Sequence, residues 1–148
     1  MQTIFDKTTR DELIKRIHLL NVNNSAQWGK MNIYQMLKHC TLWEEMALGK
    51  TKYKQTLLGK LFGRMALPDF IGDDKPFKKN VPTVPKLKIK ETSGDILSLQ
   101  NKWIKLIEEY NSFDNDNFIH PFFGKMSKEQ IGLLAYKHTD HHLRQFNR

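Results

Sequence analysis

The sequence predicts an all-α protein, a four-helix bundle formed by one domain over residues 1–148. Four segments carry apolar residues at the three- and four-residue spacing of an amphipathic helix. One long connection, rich in proline and lysine, separates the second of these helices from the third. No run that alternates apolar and polar residues has an evident partner strand, so a sheet is not expected.

The first helix is predicted from a capping box at Thr9–Glu12 to about Leu20. Its buried face consists of four apolar residues at helical spacing: Leu13, Ile14, Ile17 and Leu20. His18 lies beside this face and is interpreted as a surface residue. After a polar turn, Gly29 permits a bend, and the indole of Trp28 is expected to close one end of the bundle.

The second helix is predicted to begin at Asn32, with Gln35 completing its cap, and to stop at Gly49. Its apolar face is wide and contains Ile33, Met36, Leu37, Cys40, Trp43 and Ala47. His39 lies at the edge of this face. Cys40 is the single cysteine, which excludes a disulfide framework and a cysteine-based zinc ribbon. It points about 100° away from His39 and is interpreted as a small buried hydrophobic residue.

Residues 50–92 form the long crossover. A short helix over Gln55–Met65 is compatible with the sequence, whereas the four prolines that follow argue against a continuous helix and against a central strand. The run KLKIK at 86–90 alternates like a strand but has no evident partner. Residues 50–90 also carry the entire net charge of +8. This segment could contact an anion, but a solvated basic loop is favoured because it contains no nucleic-acid-binding motif.

The third helix is predicted over about Ser93–Tyr110, with a buried stripe that comprises Ile96, Leu99, Trp103, Leu106 and Tyr110. An aromatic segment at 118–124 follows and is expected to plug the bundle near the start of the last helix. His120 precedes Pro121 and is therefore held extended. A structural role is favoured for His120, and the alternative is a residue that faces a substrate or supports a metal ligand.

The fourth helix, Ser127–Phe146, contains the strongest functional signal. Ser127 and Gln130 form its capping box. His138 and His142 lie one turn apart on the apolar face that begins with Ile131, Leu134 and Ala135. An H-x-x-x-H pair can converge on one metal ion, although such pairs are frequent by chance and would be solvated on an exposed face. Because buried polar groups need partners, this position favours a metal site if a third ligand exists.

His39 is the natural third ligand if the second and fourth helices are neighbours. The sequence thus predicts a divalent ion held by His39, His138 and His142, with positions left open as in catalytic zinc sites. Zinc or nickel is expected first, and iron, manganese and cobalt also suit imidazole ligands. Asp140 should face away from the ion, and no general base is evident. Four further residues are candidates for contacting a substrate or supporting the ligands: Trp43, His120, His141 and Gln145.

No apolar run approaches the length of a membrane span, and the N-terminal residues lack the hydrophobic region of a signal peptide. The sequence therefore predicts a soluble protein without a membrane partner. The expected location is the cytoplasm, a reducing compartment that accords with the single cysteine.

Three motifs resemble a known family. QMLKHC in the second helix, HPFFGKMS before the last helix and KHTDHHLRQF at the end look like the DinB-like (YfiT-type) superfamily, in one of its uncharacterised bacterial branches. The resemblance covers essentially the whole chain and implies an up-down-down-up four-helix bundle. It also implies a divalent metal bound by one histidine of the second helix and the pair of the fourth, which are His39, His138 and His142 here. Resembling proteins include thiol-dependent transferases and hydrolases, and homodimers are common among them.

Two functions follow, and the sequence does not decide between them. The first is a metal-dependent hydrolase or thiol transferase that acts on a small molecule. The second is a non-catalytic bundle in which the ion only braces the helices, or which binds a small molecule or a protein partner. Electrostatic binding of nucleic acid through residues 50–90 ranks third.

Overall fold

The computed structural model describes all residues from 1 to 148 and is mostly helical. Its five α-helices are α1 (Lys7–His18), α2 (Ile33–Ala47), α3 (Arg64–Ile71), α4 (Ile96–Glu109) and α5 (Lys128–Gln145). A π-helical turn at Gly59–Gly63 runs directly into α3, and 3₁₀ turns occupy Pro85–Leu87 and Tyr110–Ser112. Two short antiparallel strands, β1 (Ile119–His120) and β2 (Gly124–Lys125), form the only sheet. None of the helices combines the length and the apolar character that crossing a bilayer requires.

The four longer helices surround one hydrophobic core. Helix α2 packs against α4 and α5, and α1 packs against the same two helices. Helix α3 is added on the outside, where it packs against α5. The core comprises 27 buried apolar residues, and its largest fully buried side chains are Trp103, Tyr110 and Phe146. A mostly helical fold, as the sequence predicted, is therefore confirmed at this coarse level.

Both capping boxes that define the site-bearing helices are present. The Asn32 side chain accepts a hydrogen bond from the Gln35 N–H at 2.9 Å, and the Gln35 side chain accepts one from the Asn32 N–H at 3.1 Å. Ser127 and Gln130 form the same reciprocal pair at the start of α5. At the N-terminus of each of these two helices, the capping box bonds two backbone N–H groups that have no partner within the helix. These bonds fix where α2 and α5 begin.

The predicted start of the first helix is wrong, because α1 begins at Lys7 and the capping box at Thr9 does not form. The N-terminal arm provides the physical reason. Ile4 is fully buried and its N–H donates to the Gly132 carbonyl at 3.1 Å. The Arg10 guanidinium then donates to the carbonyls of Ile4 and Phe5 at 3.0 and 2.7 Å. These tertiary contacts extend the helix by three residues toward the N-terminus, from an N-cap at Thr9 to one at Asp6.

The crossover differs from the prediction in one place. Pro68 lies inside α3 rather than ending a helix. Its missing N–H leaves the carbonyl of Arg64 without its intrahelical partner, and because Arg64 is exposed, water can replace that bond. The run at 86–90 forms no strand, and Leu87 instead ends a 3₁₀ turn with its side chain buried. The small β1–β2 sheet was not expected.

Two glycines attach the crossover helix to the rest of the fold. A side chain at Gly59 or Gly63 would overlap the backbone of residues 121–123, so this face of the helix lies directly against the main chain. The Thr56 N–H donates to the Pro121 carbonyl at 2.8 Å and fixes the approach. The large apolar side chains between residues 57 and 65 are consequently turned toward solvent.

Candidate metal centre

Three histidines from two helices meet inside the molecule. His39 projects from α2, and His138 and His142 project from adjacent turns of α5, so that one ring nitrogen of each lies within 4.8 Å of the others. The closest approach is 3.1 Å, between Nε2 of His39 and Nε2 of His138. All three rings are buried, with 3–9% of their surface exposed. Three imidazoles close enough to hold an ion are therefore present, as the sequence predicted.

The spacing of the His39 and His138 nitrogens fits a shared cation. Two nitrogens at about 2.0–2.1 Å from one ion are separated by about 2.9 Å at a right angle and about 3.4 Å at the tetrahedral angle. The observed 3.1 Å between the His39 and His138 nitrogens falls inside this interval. Without a cation or a proton between them, two nitrogen lone pairs would face one another at this distance.

Hydrogen bonds orient two of the three rings. Nδ1 of His39 lies 3.0 Å from the carbonyl oxygen of Leu87, which can only accept, so this nitrogen carries the proton. Nδ1 of His142 lies 2.9 Å from Oε1 of Gln145 and carries its proton for the same reason. In both rings Nε2 is left as a bare lone pair, which is the state that ligates a metal.

Gln145 connects the site to the segment before α2. While its Oε1 accepts from His142, its Nε2 donates to the carbonyl of Trp28 at 2.8 Å. Gly29 has a φ of 80°, and a Cβ there would lie 2.9 Å from Nε2 of Gln145. Only glycine combines that conformation with so close an approach, so the bend at Gly29 is what brings the Trp28 carbonyl to Gln145.

His138 differs from the other two rings. Its Nδ1 is buried without a hydrogen-bond partner. The ring stacks on the indole of Trp43, with centroids 4.4 Å apart and an interplanar angle of 17°. A buried polar atom without a partner is uncommon in folded proteins and calls for an explanation. An ion at Nε2 would leave this Nδ1 without a partner, so the fit to a divalent ion depends on the donor set of three imidazoles and not on this atom.

The environment holds these rings in the neutral, ligating form. Burial lowers the pKa of His39 below its ordinary value, against the opposing effect of the Leu87 carbonyl. Burial, together with the neighbouring histidines, places the pKa values of His138 and His142 well below the ordinary value. A metal competes with protons for these nitrogens, so depressed pKa values favour binding at neutral pH.

The structure places His141 and Trp43 beside this cluster. His141 packs edge-to-face against Trp28 at 5.5 Å and lies 5.8 Å from the ring of Phe77. It makes no hydrogen bond, and burial lowers its pKa against the opposing charge of Asp140. Together with Trp43, these rings give the three-histidine cluster an aromatic wall.

His120 instead stabilises the turn between β1 and β2. Its Nδ1 accepts hydrogen bonds from the N–H groups of Phe122 and Phe123, both at 3.1 Å. The ring stacks on Phe123 with centroids 4.7 Å apart. Burial lowers the pKa of His120 to about 3, so the imidazole remains neutral. Its Nδ1 is fully used by the turn.

Asp140 and Cys40 take no part in the cluster. The Asp140 carboxylate accepts from Arg16 at 2.9 Å and from Arg144 at 2.7 Å, on the side of α5 away from the three histidines. Cys40 is fully buried, its thiol lies 3.7 Å from the Met36 sulfur, and burial raises its pKa well above the ordinary range. A thiol in this state packs as a hydrophobic side chain.

A buried carboxyl group near the site was not anticipated. Glu44 of α2 is fully buried, accepts from the Tyr110 hydroxyl at 2.5 Å and from the Thr139 hydroxyl at 3.0 Å, and thereby links α2 to the residue next to His138. Burial raises its pKa to about 7, against the opposing effect of these two hydrogen bonds. The sequence did contain a signal, because Glu44 shares the helical stripe of Cys40 and Ala47.

Two surface clefts lie elsewhere. One, of about 490 Å³, runs along α4 between Asp95 and Lys105. The other, of about 460 Å³, lies between the N-terminal residues and the outer side of α5. Neither is lined by any of the three histidines.

Comparison with known proteins gives one match. A family model described as "Protein of unknown function (DUF1569)" matches residues 3–148, which is nearly the whole chain. No curated protein and no solved structure shows a significant match.

Proposed function

The chain belongs to the DUF1569 family. From the geometry of the site we propose that it is a divalent-metal-dependent enzyme, a hydrolase or a thiol transferase. One observation carries the proposal: three buried imidazoles, neutral at pH 7, each place a ring nitrogen within 4.8 Å of the other two. Two of them are already oriented by hydrogen bonds to Leu87 and Gln145. Three protein ligands leave at least one position open, as in catalytic zinc sites.

We also propose a topology for the bundle and an evolutionary relationship for the family. The four longer helices would form an up-down-down-up bundle, and the family would be related to the DinB-like superfamily. The packing of α2 and of α1 each against both α4 and α5 supports this arrangement. The placement of one histidine on α2 and two on α5 supports the kinship, since it reproduces the ligand pattern of that superfamily.

When bound, the ion would supply Lewis-acid activation of a water molecule or of a substrate thiol. The chain's own residues perform the other tasks. Gln145 and the Leu87 carbonyl fix the tautomers of His142 and His39, while Trp43 and His141 exclude bulk water. Zinc and nickel are the ions that we place first, because neutral imidazole suits both.

A second candidate function is a bundle that the ion only braces. The burial of all three rings favours it, because little of their surface is exposed to a substrate. In this case the ion would hold α2 against α5, and the protein would bind a small molecule or a partner elsewhere. Both candidate functions use the same three histidines, but only the enzyme turns over a substrate.

The experiment starts from protein stripped with a chelator and reloaded with zinc or nickel. Elemental analysis should find about one ion per chain, and His142→Ala should lose it while His18→Ala, at an exposed histidine of α1, retains it. The loaded protein is then screened against esters, amides and pairs of a thiol with an electrophilic acceptor. Turnover that disappears in His142→Ala supports the enzyme. A raised melting temperature without turnover supports the brace, and failure of the wild type to bind any divalent ion overturns both.

The proposal includes a cytoplasmic location and a small-molecule ligand. It does not include nucleic acid. The excess positive charge lies in residues 50–90, away from the three ligands in the sequence, and those residues contain no nucleic-acid-binding motif.

A further inference from the structure

The crossover helix exposes an apolar surface that nothing in the fold covers. Of the ten large hydrophobic residues that are exposed, five lie within the nine residues 57–65. Between 55% and 79% of each is accessible: Leu57, Leu58, Leu61, Phe62 and Met65. Single exposed hydrophobic side chains are normal, but a contiguous group of this kind marks an interaction site.

These five side chains form one stripe. Leu57, Leu61 and Met65 follow at four-residue intervals, and Leu58 and Phe62 form a parallel row beside them. The opposite side of the same helix is buried and consists of Gly59, Gly63, Leu67 and Ile71. Residues 57–71 therefore have two apolar faces, a small inner one against the protein and a large outer one toward solvent. We call the outer one the Leu57–Met65 stripe.

The stripe cannot be buried by rotating the helix. Gly59 and Gly63 lie so close to the backbone of residues 121–123 that no side chain fits between them. The Gln55 side chain adds a hydrogen bond to the Phe122 carbonyl at 3.2 Å, beside the bond from the Thr56 N–H to the Pro121 carbonyl. The orientation of the Leu57–Met65 stripe is thus fixed by the contacts on its other side.

Basic side chains accompany the stripe. Lys52, Lys54, Lys60 and Arg64 are exposed and form no ion pair. Between residues 50 and 72 the only acidic side chain is Asp69. Apolar residues and uncompensated cations therefore share one surface.

We propose that the Leu57–Met65 stripe docks on the surface of a lipid bilayer that contains anionic headgroups. A helix with a leucine- and phenylalanine-rich face and a basic flank lies in the interface of such a bilayer, with its apolar face at the acyl boundary and its cations among the headgroups. Docking of this kind needs no spanning helix. The proposal departs from the prediction that the protein has no membrane partner, which considered only spanning segments.

Charge argues against the other occupants. A second copy related by a two-fold axis would bring the same four cations of each chain to one interface, where like charges repel. Nucleic acid would satisfy the cations but would leave the apolar stripe in water. An anionic bilayer satisfies both parts of the surface.

The test is co-sedimentation of the full chain with phosphatidylcholine vesicles, prepared with and without phosphatidylglycerol. We expect binding to the anionic vesicles that weakens with added salt. Lys60→Gln/Arg64→Gln should bind roughly 30-fold more weakly, because each cation near an anionic surface contributes about 1 kcal/mol. Leu61→Gln/Phe62→Gln should bind at least about tenfold more weakly, since it removes apolar side chains from the acyl boundary. Both variants change exposed residues and should keep the fold.

The matched control is Leu97→Gln/Lys105→Gln, which removes one exposed apolar and one exposed basic residue from α4. It should bind anionic vesicles like the wild type. Three results overturn the proposal. They are failure of the wild type to bind anionic vesicles at low salt, equal binding by Leu61→Gln/Phe62→Gln, and a dimer of the wild type in sedimentation equilibrium that Leu61→Gln/Phe62→Gln dissociates.

Discussion

Replacement of Gln145 by methionine tests whether the hydrogen bonds around the three histidines matter for metal binding. Methionine keeps the volume and flexibility of the side chain but neither accepts from His142 nor donates to the Trp28 carbonyl. The three ligands themselves stay unchanged. Gln145→Met therefore separates the positioning of a ligand from its presence.

The structure gives the size of the expected effect. Loss of a hydrogen-bond partner of a ligating histidine weakens metal affinity by about 10- to 100-fold, or about 1.4–2.7 kcal/mol. Two groups also lose their partner, the His142 Nδ1–H and the Trp28 carbonyl, and each such loss destabilises a protein by about 1–3 kcal/mol where water cannot replace it. Both the metal affinity and the free energy of unfolding should fall.

Gln100 of α4 offers a matched control. Its side chain is also buried and donates to two main-chain carbonyls, those of Ile17 at 2.6 Å and Leu20 at 3.1 Å. Gln100→Met should lower the free energy of unfolding by a similar amount without changing the metal affinity. The assay is titration of chelator-stripped protein with zinc in competition with a chromophoric chelator, alongside urea unfolding of the metal-free proteins.

Equal zinc affinity in the wild type and in Gln145→Met would refute the reasoning, because Gln145 would then not position His142. A loss of affinity in Gln100→Met as large as that in Gln145→Met would refute it as well. That result would mean that general destabilisation, rather than the orientation of one ring, controls binding.

Three further predictions concern buried groups. Glu44 has a pKa of about 7 in the folded protein against an ordinary 4.5. Between these two pH values the folded protein keeps a proton that the unfolded chain releases, so the free energy of unfolding falls as the pH rises from about 4.5 to 7. At pH 7.5, Glu44→Gln should therefore be more stable than the wild type by up to about 3 kcal/mol in urea unfolding, and a variant equally or less stable there contradicts this. The pKa of His120 has the opposite effect. It is about 3 in the folded protein against an ordinary 6.5, so the free energy of unfolding falls as the pH drops below about 6.5. In His120→Asn, whose side-chain oxygen can still accept from the turn, lowering the pH from 7.5 to 5 should cost about 2 kcal/mol less than in the metal-free wild type, and parallel pH profiles would exclude this role. Gly63→Ala should detach the crossover helix from residues 121–123, seen as faster proteolysis within residues 50–75, whereas Met65→Ala at an exposed position should not.

The sequence predicted those parts of the fold whose signals are local. The boxes at Asn32 and Ser127 form because each pairs side chains and N–H groups only three residues apart. The same signature failed at Thr9, where burial of Ile4 and the bonds of Arg10 extend the helix past it. Pro68 does not end α3, because its exposed position lets water bond the carbonyl that proline leaves without a partner.

The histidine pair of α5 was predictable because its spacing follows the helix period, whereas the hydrogen-bond partners of the cluster were not. His39 is held by the Leu87 carbonyl and Gln145 by the Trp28 carbonyl. Because every residue type has a backbone carbonyl, no residue type in the sequence indicates this role. Only the tertiary fold brings Leu87, 48 positions along the chain, to His39.

This dependence makes the crossover part of the proposed metal site. Ordering of the 3₁₀ turn at Pro85–Leu87 places the carbonyl that fixes the tautomer of His39, and the bend at Gly29 does the same for Gln145 and His142. A ligand that binds only the ordered state stabilises that state by RT ln(1 + [L]/Kd), about 2.7 kcal/mol at a hundredfold excess over Kd. Occupation of the three histidines would therefore order two connecting segments as well as join two helices. The entropy of ordering these segments is in turn subtracted from the intrinsic affinity of the ligands, so their length and composition help to set how tightly the ion is held.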